Sequence, residues 1–355
     1  MSVFFSEKWK DLTPYTPGEQ PRDMQYVKLN TNESPFKPSE NAQRLAREEA
    51  ERLMLYSDPE CTELVKTAAE YFGVEKDEIL FGNGSDEILN FAFMAFCDAD
   101  HPAAFPDISY GFYPVFAALN HIPYTEIPLR EDLRIAAEDY EGLGKMIVIA
   151  NPNAPTGLCL SLGEIEAILK ANPDQVVLID EAYVDFGAES AVKLLGEYDN
   201  LLICQTFSKS RSLAGARLGF AIGSEELIRD LNTIKYSTNP YNVNRMTAAA
   251  GLAALREDFY YKENARTIME NRAWTMAELK KLGFAGTDSR SNFLFVRHPA
   301  LGGEALYKKL KARGVLVRHF KKPRIEDYVR ITVGSREQMA VLLRETEAIL
   351  KEAQA

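Results

Sequence analysis

The sequence predicts an α/β protein with a mostly parallel, doubly wound sheet of seven strands, followed by a smaller α+β domain. Three observations predict this fold class. Short apolar runs alternate with helix-like stretches from about residue 79 to 222, several runs are apolar at consecutive positions, and the pattern changes after about residue 243. Consecutive apolar positions are typical of strands covered on both faces. Strand–helix alternation is typical of parallel sheets.

The predicted strands of the large sheet are seven short apolar runs. They span 79–81, 103–105, 122–127, 146–150, 176–179, 201–205 and 218–222. Two of the helices between them have recognisable start signals. Segment 85–97 opens with Ser85 as a predicted N-cap and two acidic residues in the first turn. Segment 161–171 begins with Ser161 and has Glu164 at the position of a capping box.

The pattern after residue 243 predicts a second domain. A helical region over 243–281, rich in Ala, Glu, Lys and Arg, precedes short predicted strands and a final helix. The predicted strands are 292–297, 315–318 and 328–333, and the predicted helix is 335–352. Because 355 residues exceed the ~250–300 at which one core stops growing, two domains are expected. We predict an N-terminal arm over 1–30 that packs with the small domain, a large domain over 31–242 and a small domain over 243–355.

Composition and charge favour a globular protein with small-molecule partners. The net charge of −11 disfavours nucleic acid and anionic membranes, since polyanion binding needs a clustered basic face. No apolar run approaches the ~20 residues that cross a bilayer, and the N-terminus lacks the pattern of a secretory signal. The four cysteines and four histidines show no ligand spacing. We therefore expect a cytoplasmic protein with reduced thiols and no metal site.

The stretch QTFSKSRSLAGARLG, residues 205–219, contains a candidate nucleophile. Lys209 directly follows an apolar strand, lies near the hydroxyls of Thr206 and Ser208, and precedes Arg217 by eight positions. The carboxyl edge of an α/β sheet is where such folds place ligands, and a partly desolvated lysine there can attack a carbonyl. The hydroxyls and the guanidinium suit a phosphate. The alternative interpretation is an exposed loop lysine with a surface arginine.

The segment VVLIDEAYVDF adds a strand-end acid. Asp180 ends a buried strand, where a carboxylate is costly without a partner, and Tyr183 follows three residues later. A protonated ring nitrogen of a heterocyclic cofactor would supply that partner, and Tyr183 would reach a phenolic oxygen of the same ring. An ordinary strand-end or helix-capping aspartate is the alternative.

Two further segments extend the candidate site. In GNGSDEIL, residues 82–89, the free amides of Gly84, Ser85 and Asp86 at a helix N-terminus suit an anion, although a generic capped helix has the same pattern. Tyr110 suits stacking on a flat heterocycle but is equally typical of a core. NPNAPTG, residues 151–157, is a rigid turn after a predicted strand.

Taken together, these motifs identify a family. GNGSDE, NPN-x-PTG, D-E-A-Y and T-x-SK-x(5)-G-x-R occur in this order. With them the chain resembles the fold-type I, class II pyridoxal-phosphate (PLP) aminotransferases over essentially its full length. The resemblance implies that Lys209 carries PLP as a Schiff base and that Asp180 and Tyr183 are the other catalytic residues. The other cofactor contacts it implies are Gly84, Ser85, Asp86, Tyr110, Asn153, Thr206, Ser208 and Arg217.

One position departs from that family's pattern. The family usually has a second asparagine immediately before Pro-Thr-Gly, which contacts the phenolic oxygen of the ring, but this chain has Ala154 there. That contact cannot be carried over to Ala154. Asn153 is the candidate replacement, with Tyr183 acting alone as the alternative.

Within that family, the segments 12–21, 28–38 and 56–60 most resemble histidinol-phosphate aminotransferases. The resemblance implies a homodimer in which Tyr56 reaches the cofactor phosphate of the partner subunit. It also implies substrate contacts by Tyr15, Asn32, Arg318 and Arg330, and transamination between histidinol phosphate and 2-oxoglutarate. The alternatives are an aromatic amino-acid aminotransferase and a threonine-phosphate decarboxylase. A PLP-binding regulator would need an appended DNA-binding module, for which the N-terminal arm has no room.

Overall fold

The computed structural model of the protein describes residues 2–354 and is built around a seven-stranded sheet. Its strands are β2 (Ile79–Gly82), β3 (Ala103–Pro106), β4 (Tyr124–Ile127), β5 (Met146–Ala150), β6 (Val177–Asp180), β7 (Leu201–Thr206) and β8 (Gly219–Gly223). The lateral order is β2-β8-β7-β6-β5-β3-β4, and all pairs are parallel except the two that β8 forms. The predicted mostly parallel sheet is confirmed, although the strand expected over 122–127 begins only at Tyr124.

Helices cover this sheet and bury its apolar strands. They are α1 (Glu40–Ala50), α2 (Thr62–Phe72), α3 (Ser85–Phe96), α4 (Tyr113–Leu119), α5 (Leu162–Ala171) and α6 (Glu225–Thr238). The capping box at Ser161 and Glu164 is confirmed, since each side chain bonds the other's backbone amide. The prediction of Ser85 as an N-cap is wrong. Gly84 is the N-cap, with φ 87° and ψ 164°, a conformation that L residues rarely adopt. The N-cap of α3 therefore lies one residue before the predicted position.

The remaining chain forms a second layered unit. Its helices are α8 (Asp258–Lys281), α9 (Gly303–Ala312) and α10 (Arg336–Gln354), whereas α7 (Arg245–Arg256) packs against α1 and α2 of the first unit. Its strands β9 (Ala285–Gly286), β10 (Phe293–Arg297), β12 (Arg318–His319) and β13 (Tyr328–Thr332) form an antiparallel sheet in the order β12-β13-β10-β9. The helical region predicted over 243–281 breaks at Glu257, where ψ is 34°.

The strand predicted over 315–318 is wrong as one element. It divides at Val317 into β11 (Val315–Leu316) and β12, because β11 pairs in parallel with β1 (Val27–Lys28) whereas β12 pairs with β13. The pairing of β1 with β11 attaches the N-terminal segment to the second unit. Farther upstream, the ring of Trp9 stacks on His121 of the first unit, with centroids 4.9 Å apart. The N-terminal segment therefore contacts both units.

The hydrophobic core has separate clusters on the two sides of the large sheet and another beneath the antiparallel sheet. A small fourth cluster joins the two units, with Ile108 and Leu129 on one side and Phe295 and Ile325 on the other. Within residues 2–354, no helix is long and apolar enough to cross a membrane. The same residues contain no group of three or more His, Cys, Asp or Glu side chains placed to hold a metal ion.

Candidate active site

The carboxyl ends of β5, β6 and β7 lie side by side, because these strands are parallel neighbours. A cavity of about 370 Å³ opens beyond them. Nine of the twelve predicted cofactor contacts line it: Ser85, Asp86, Tyr110, Asp180, Tyr183, Thr206, Ser208, Lys209 and Arg217. Gly84, Asn153 and Tyr56 do not line it. Parallel strands ending at one edge therefore bring together motifs that are up to 132 positions apart in the sequence, Ser85 and Arg217.

Lys209 lies between this first cavity and a second one. The second cavity measures about 330 Å³ and shares Lys209, Tyr183 and Tyr110 with the first. Nζ of Lys209 donates a 3.4 Å hydrogen bond to the carbonyl oxygen of Thr31 and lies 5.7 Å from the centroid of the Tyr183 ring. Among the described residues this amine has that one long hydrogen bond, and at the junction of two cavities it is accessible to a ligand in either.

Asp180 is buried at the end of β6, with 4% of its surface exposed. Oδ2 accepts a 2.8 Å hydrogen bond from the hydroxyl of Tyr113, and Oδ1 accepts one of 3.2 Å from the amide of Ala182. Burial raises the pKa of Asp180 to about 6, and the bond from Tyr113 opposes the rise. Both donors are neutral, so within residues 2–354 the carboxylate has no cationic hydrogen-bond partner. The sequence patterns did not indicate Tyr113, which lies three residues after Tyr110.

Asp86, in the first turn of α3, contacts both a tyrosine hydroxyl and a guanidinium. Its carboxylate accepts a 2.7 Å hydrogen bond from the hydroxyl of Tyr110 and forms a 2.8 Å ion pair with Nη2 of Arg217. Burial, reinforced by Asp86, raises the pKa of Tyr110. A Cβ at Gly84 would lie 2.6 Å from Nη2 of Arg217 and would displace that guanidinium, and the positive φ of this position favours glycine in any case.

The hydroxyl of Tyr183 is oriented by an asparagine. Nδ2 of Asn32 donates a 2.9 Å hydrogen bond to it, while Oδ1 of Asn32 accepts one of 3.0 Å from Thr332. The bond from Thr332 fixes which end of the amide faces Tyr183. Because the hydroxyl of Tyr183 accepts from Asn32, its own proton is free to be donated into the cavity.

Asn153 is held by the loop that follows β3. Oδ1 accepts a 2.8 Å hydrogen bond from the hydroxyl of Ser109, and Nδ2 donates one of 2.9 Å to the carbonyl oxygen of Ile108. Only 1% of the residue is exposed. The structure therefore does not bring Asn153 to the cavity as predicted, because these contacts with the loop after β3 occupy its amide. Its neighbour Ala154 lines both cavities instead.

The second cavity is lined by all four predicted substrate contacts, Tyr15, Asn32, Arg318 and Arg330. Together with Lys209 and Lys322, the two arginines give it four cationic side chains, and none of the described residues that line it is an aspartate or glutamate. The cavity is therefore suited to anions, in a protein whose net charge is −11.

Arg330 is the most deeply placed of these cations. Its guanidinium lies against Phe293 and Phe320, 5.4 and 5.5 Å from the ring centroids, and Nη2 donates a 3.0 Å hydrogen bond to the carbonyl oxygen of Asn30. Nε is buried without a hydrogen-bond partner among the described residues. Burial lowers the pKa of Arg330. An anionic ligand would supply the missing partner.

Tyr56 lies outside both cavities of its own chain. Its side chain is 79% exposed and stacks on Tyr241 with ring centroids 4.6 Å apart. Nη1 of Arg245 holds its backbone through a 2.8 Å hydrogen bond to the carbonyl oxygen. The structure thus keeps Tyr56 away from Lys209 of the same subunit and available on the surface.

Comparison with known proteins identifies the family. The family model for aminotransferase class I and II matches residues 24–345. The chain is 48% identical over 353 residues to the histidinol-phosphate aminotransferase of Brachyspira hyodysenteriae, covering 99% of this chain and 100% of that one. It is 49% identical over 346 residues to the Marinomonas sp. enzyme of the same name, covering 96% and 98%.

A solved structure shows the same fold at lower sequence identity. Histidinol-phosphate aminotransferase from Sinorhizobium meliloti, in complex with pyridoxal-5'-phosphate, is 22% identical and aligns with a TM-score of 0.90 over 99% of each chain. The family match spans most of the sequence, and the two relatives match nearly end to end. The chain therefore belongs to the class I and II aminotransferases and, within them, to the histidinol-phosphate aminotransferase family.

Proposed function

We propose that the protein is a PLP-dependent transaminase that converts histidinol phosphate and 2-oxoglutarate into imidazole-acetol phosphate and glutamate. The observation that carries this proposal is the junction at Lys209. On one side lies a cavity with the buried carboxylate of Asp180, and on the other lies a cavity with four cations and no acid among its described lining residues. The 48% and 49% identical relatives have this activity in their names.

The first cavity fits PLP. Asp180 is a buried carboxylate with neutral hydrogen-bond donors, and the protonated ring nitrogen would be its cationic partner. The N-terminus of α3, the hydroxyl of Ser208 and the guanidinium of Arg217 would hold the phosphate. Tyr110 would lie against the ring and Tyr183 at its phenolic oxygen, with Lys209 as the covalent anchor.

When bound, PLP supplies an electron-withdrawing ring that makes the proton on the amine-bearing carbon of the substrate acidic. Nζ of Lys209 would accept this proton and then donate it to the cofactor carbon that bears the aldehyde, which its place between the two cavities allows. The carboxylate of Asp180 would hold a proton on the ring nitrogen. Asn32 keeps the hydroxyl of Tyr183 turned so that its proton points away from the amide.

The second cavity explains how one site serves two substrates. Histidinol phosphate presents a phosphate, whereas 2-oxoglutarate and glutamate present carboxylates. Arg318 and Arg330 lie opposite each other on paired strands, and a guanidinium binds either oxyanion through two parallel hydrogen bonds. Tyr15 forms an aromatic wall, stacked on Phe112 with ring centroids 4.3 Å apart. This wall suits a planar imidazole.

We also propose that the protein is a homodimer with shared active sites and that it works in the cytoplasm. Leu53, Met54, Leu55 and Tyr56 are consecutive, apolar and more than half exposed, which is typical of a surface that another protein covers. Tyr56 of the partner subunit would then reach the PLP phosphate. The four cysteines are free thiols, consistent with a reducing compartment.

The function is tested by assaying the purified, PLP-loaded protein with histidinol phosphate, phenylalanine and threonine phosphate. We expect histidinol phosphate to be the preferred donor, with one glutamate formed for each molecule consumed. Borohydride reduction should fix the cofactor to the peptide that contains Lys209. Release of carbon dioxide from threonine phosphate without glutamate would replace our proposal with a decarboxylase, and faster turnover of phenylalanine would replace it with an aromatic aminotransferase.

A further inference from the structure

The second cavity contains a cation that the family resemblance did not point to. Lys322 lies in the segment 320–327 that connects β12 to β13, here called the strap, and it lines the cavity together with Arg318 and Arg330. Phe320, also in the strap, lies between the two arginines, with its ring centroid 5.7 and 5.5 Å from their guanidinium carbons. Lys322 is thus two residues after Phe320 in the sequence, and the ring of Phe320 lies between the two arginines.

Arg324 fastens the strap to the segments that follow β3 and β4 of the large sheet. Its guanidinium forms a 3.3 Å ion pair with Oδ2 of Asp107 and donates to the carbonyl oxygens of Leu129 and Arg130 at 2.8 and 2.7 Å. Ile325 next to it is 1% exposed and packs in the cluster that joins the two units. These contacts fix the position of the strap without any contribution from the charge of Lys322.

The ammonium of Lys322 has only a neutral partner in the described structure. It donates a hydrogen bond to the backbone carbonyl oxygen of Asp107. The carboxylate of Asp107 is already engaged by Arg324 and by the amides of Ile108 and Leu129, at 2.8 and 2.9 Å. Because an ammonium has three donors, Lys322 keeps capacity for an anion in the cavity.

We propose that Lys322 is a specificity-determining residue that binds the phosphate of the substrate, a step that rests on the proposed function. A phosphate dianion concentrates two charges on three free oxygens, whereas a carboxylate has one charge on two oxygens. Two guanidiniums match the carboxylates, and the third cation adds a contact that only the phosphate uses. Lys322 therefore favours the phosphorylated donor over glutamate in the same cavity.

The experiment compares Lys322→Met and Lys322→Arg with Lys321→Met as the matched control. Lys321 is the neighbouring strap lysine, but its side chain is 82% exposed and its ammonium lies 3.7 Å from Glu304, away from the cavity. The rates of the two half-reactions of the holoenzyme are measured separately, one with histidinol phosphate and one with glutamate. We expect Lys322→Met to lower kcat/KM for histidinol phosphate by about tenfold, since a hydrogen bond to a charged group is lost at a partly solvated site. The value for glutamate should stay within about twofold, as expected where the carboxylate makes no contact with Lys322.

A binding measurement gives an outcome that does not depend on turnover. Calorimetric titration of each holoenzyme variant with propyl phosphate and with butyrate compares the two anions directly. Weaker binding of propyl phosphate alone in Lys322→Met, restored in Lys322→Arg and absent in Lys321→Met, supports the proposal. Equal losses for both anions, or no loss, overturn it. If the unmodified enzyme does not react with histidinol phosphate but still binds propyl phosphate through Lys322, the proposed function fails and the phosphate site stands.

Discussion

The hydroxyl of Tyr113 donates a 2.8 Å hydrogen bond to Oδ2 of Asp180, and both residues are buried. Burial raises the pKa of this carboxyl to about 6, and the bond from Tyr113 lowers it. Tyr113 therefore helps to keep Asp180 ionised near neutral pH, which is the form that would hold a proton on a cofactor ring. We regard Tyr113 as a positioning residue, since it acts through Asp180.

Replacing this tyrosine tests that relationship. In Tyr113→Phe the pKa of Asp180 should rise further, so kcat should fall by about tenfold near pH 7. The loss should be larger at pH 6 than at pH 8.5, because alkaline pH restores the carboxylate. The pH profile of kcat measures this. Tyr140→Phe is the control, since it removes a buried hydroxyl for which the described part of the chain offers no hydrogen-bond partner. A profile with the same shape as that of the unmodified enzyme would contradict the assigned role.

Arg330 should lower the stability of the ligand-free protein and strengthen the binding of substrate. Its buried Nε has no hydrogen-bond partner in the part of the chain that the structure describes, and the described lining of its cavity contains no acid. In Arg330→Met the ligand-free protein should gain about 1 kcal/mol in free energy of unfolding, because a partly uncompensated charge is removed. The kcat/KM for histidinol phosphate should fall about 100-fold or more. Urea unfolding and steady-state kinetics measure the two effects.

The control for Arg330 is Arg297→Met on the neighbouring strand. Arg297 is exposed and lies over Tyr328, 5.2 Å from the ring centroid, outside the cavity. It should change neither stability nor kcat/KM beyond small effects. If Arg330→Met destabilises the ligand-free protein instead, the bond to the Asn30 carbonyl outweighs the cost of burying the charge.

Glu181 is a second buried carboxyl, and its raised pKa should make the free energy of unfolding depend on pH. It is 2% exposed and accepts hydrogen bonds from Ser190, from the amide of Ala191 and from Gln205, at 2.6, 2.6 and 2.8 Å. Burial raises its pKa from 4.5 to about 7. The folded state therefore holds this proton more tightly than the unfolded state. The contribution to stability is fully present below pH 4.5 and is lost as pH rises through 7.

Replacing Glu181 with glutamine should remove this dependence. The free energy of unfolding of Glu181→Gln, relative to that of the unmodified apoprotein, should increase by up to ~3 kcal/mol as the pH rises from 4.5 to 8. This follows because each pKa unit corresponds to about 1.4 kcal/mol. Urea unfolding across this pH range measures the difference. Glu189→Gln, an exposed glutamate paired with Lys193, should show a flat difference. A pH-independent difference for Glu181→Gln would show that its pKa is not raised.

Much of the large sheet was predictable because its signals are local. The seven apolar runs and the capping box at Ser161 are encoded in short windows of sequence, and all of them appear in the structure. The breaks at Glu257 and Val317 were not predictable in this way. At Val317 the strand divides because β11 and β12 pair with different strands, and pairing between distant segments leaves no local pattern.

The residues of the site also differ in whether local sequence patterns could place them. Residues at strand ends, such as Asp180 and Lys209, could be placed together because parallel strands share an edge. Partners of this kind depend on tertiary contacts, so sequence patterns missed the bond from Tyr113 to Asp180 and the place of Lys322 in the second cavity. The same limit explains Asn153, whose amide contacts Ser109 and the Ile108 carbonyl in the loop that follows β3.

The exposed position of Tyr56 allows a test of shared active sites. In the proposed homodimer, each site combines Lys209 of one subunit with Tyr56 of the partner subunit. Lys209→Ala alone should be inactive, because it removes the base, and Tyr56→Ala alone should be strongly impaired through weaker cofactor binding. Each variant by itself forms dimers in which both sites are defective. Analytical ultracentrifugation of the unmodified protein first establishes whether the dimer exists.

Mixing the two variants separates a shared site from a site within one chain. In a mixed dimer, the Tyr56→Ala subunit contributes an intact Lys209 and the Lys209→Ala subunit contributes an intact Tyr56, so one complete site forms. Random assortment of equal amounts makes half of the dimers mixed, and the pool should recover about a quarter of the unmodified activity. If Tyr56 served its own subunit, no complete site would form in any combination. Activity no greater than the average of the two separate variants would therefore exclude the shared arrangement.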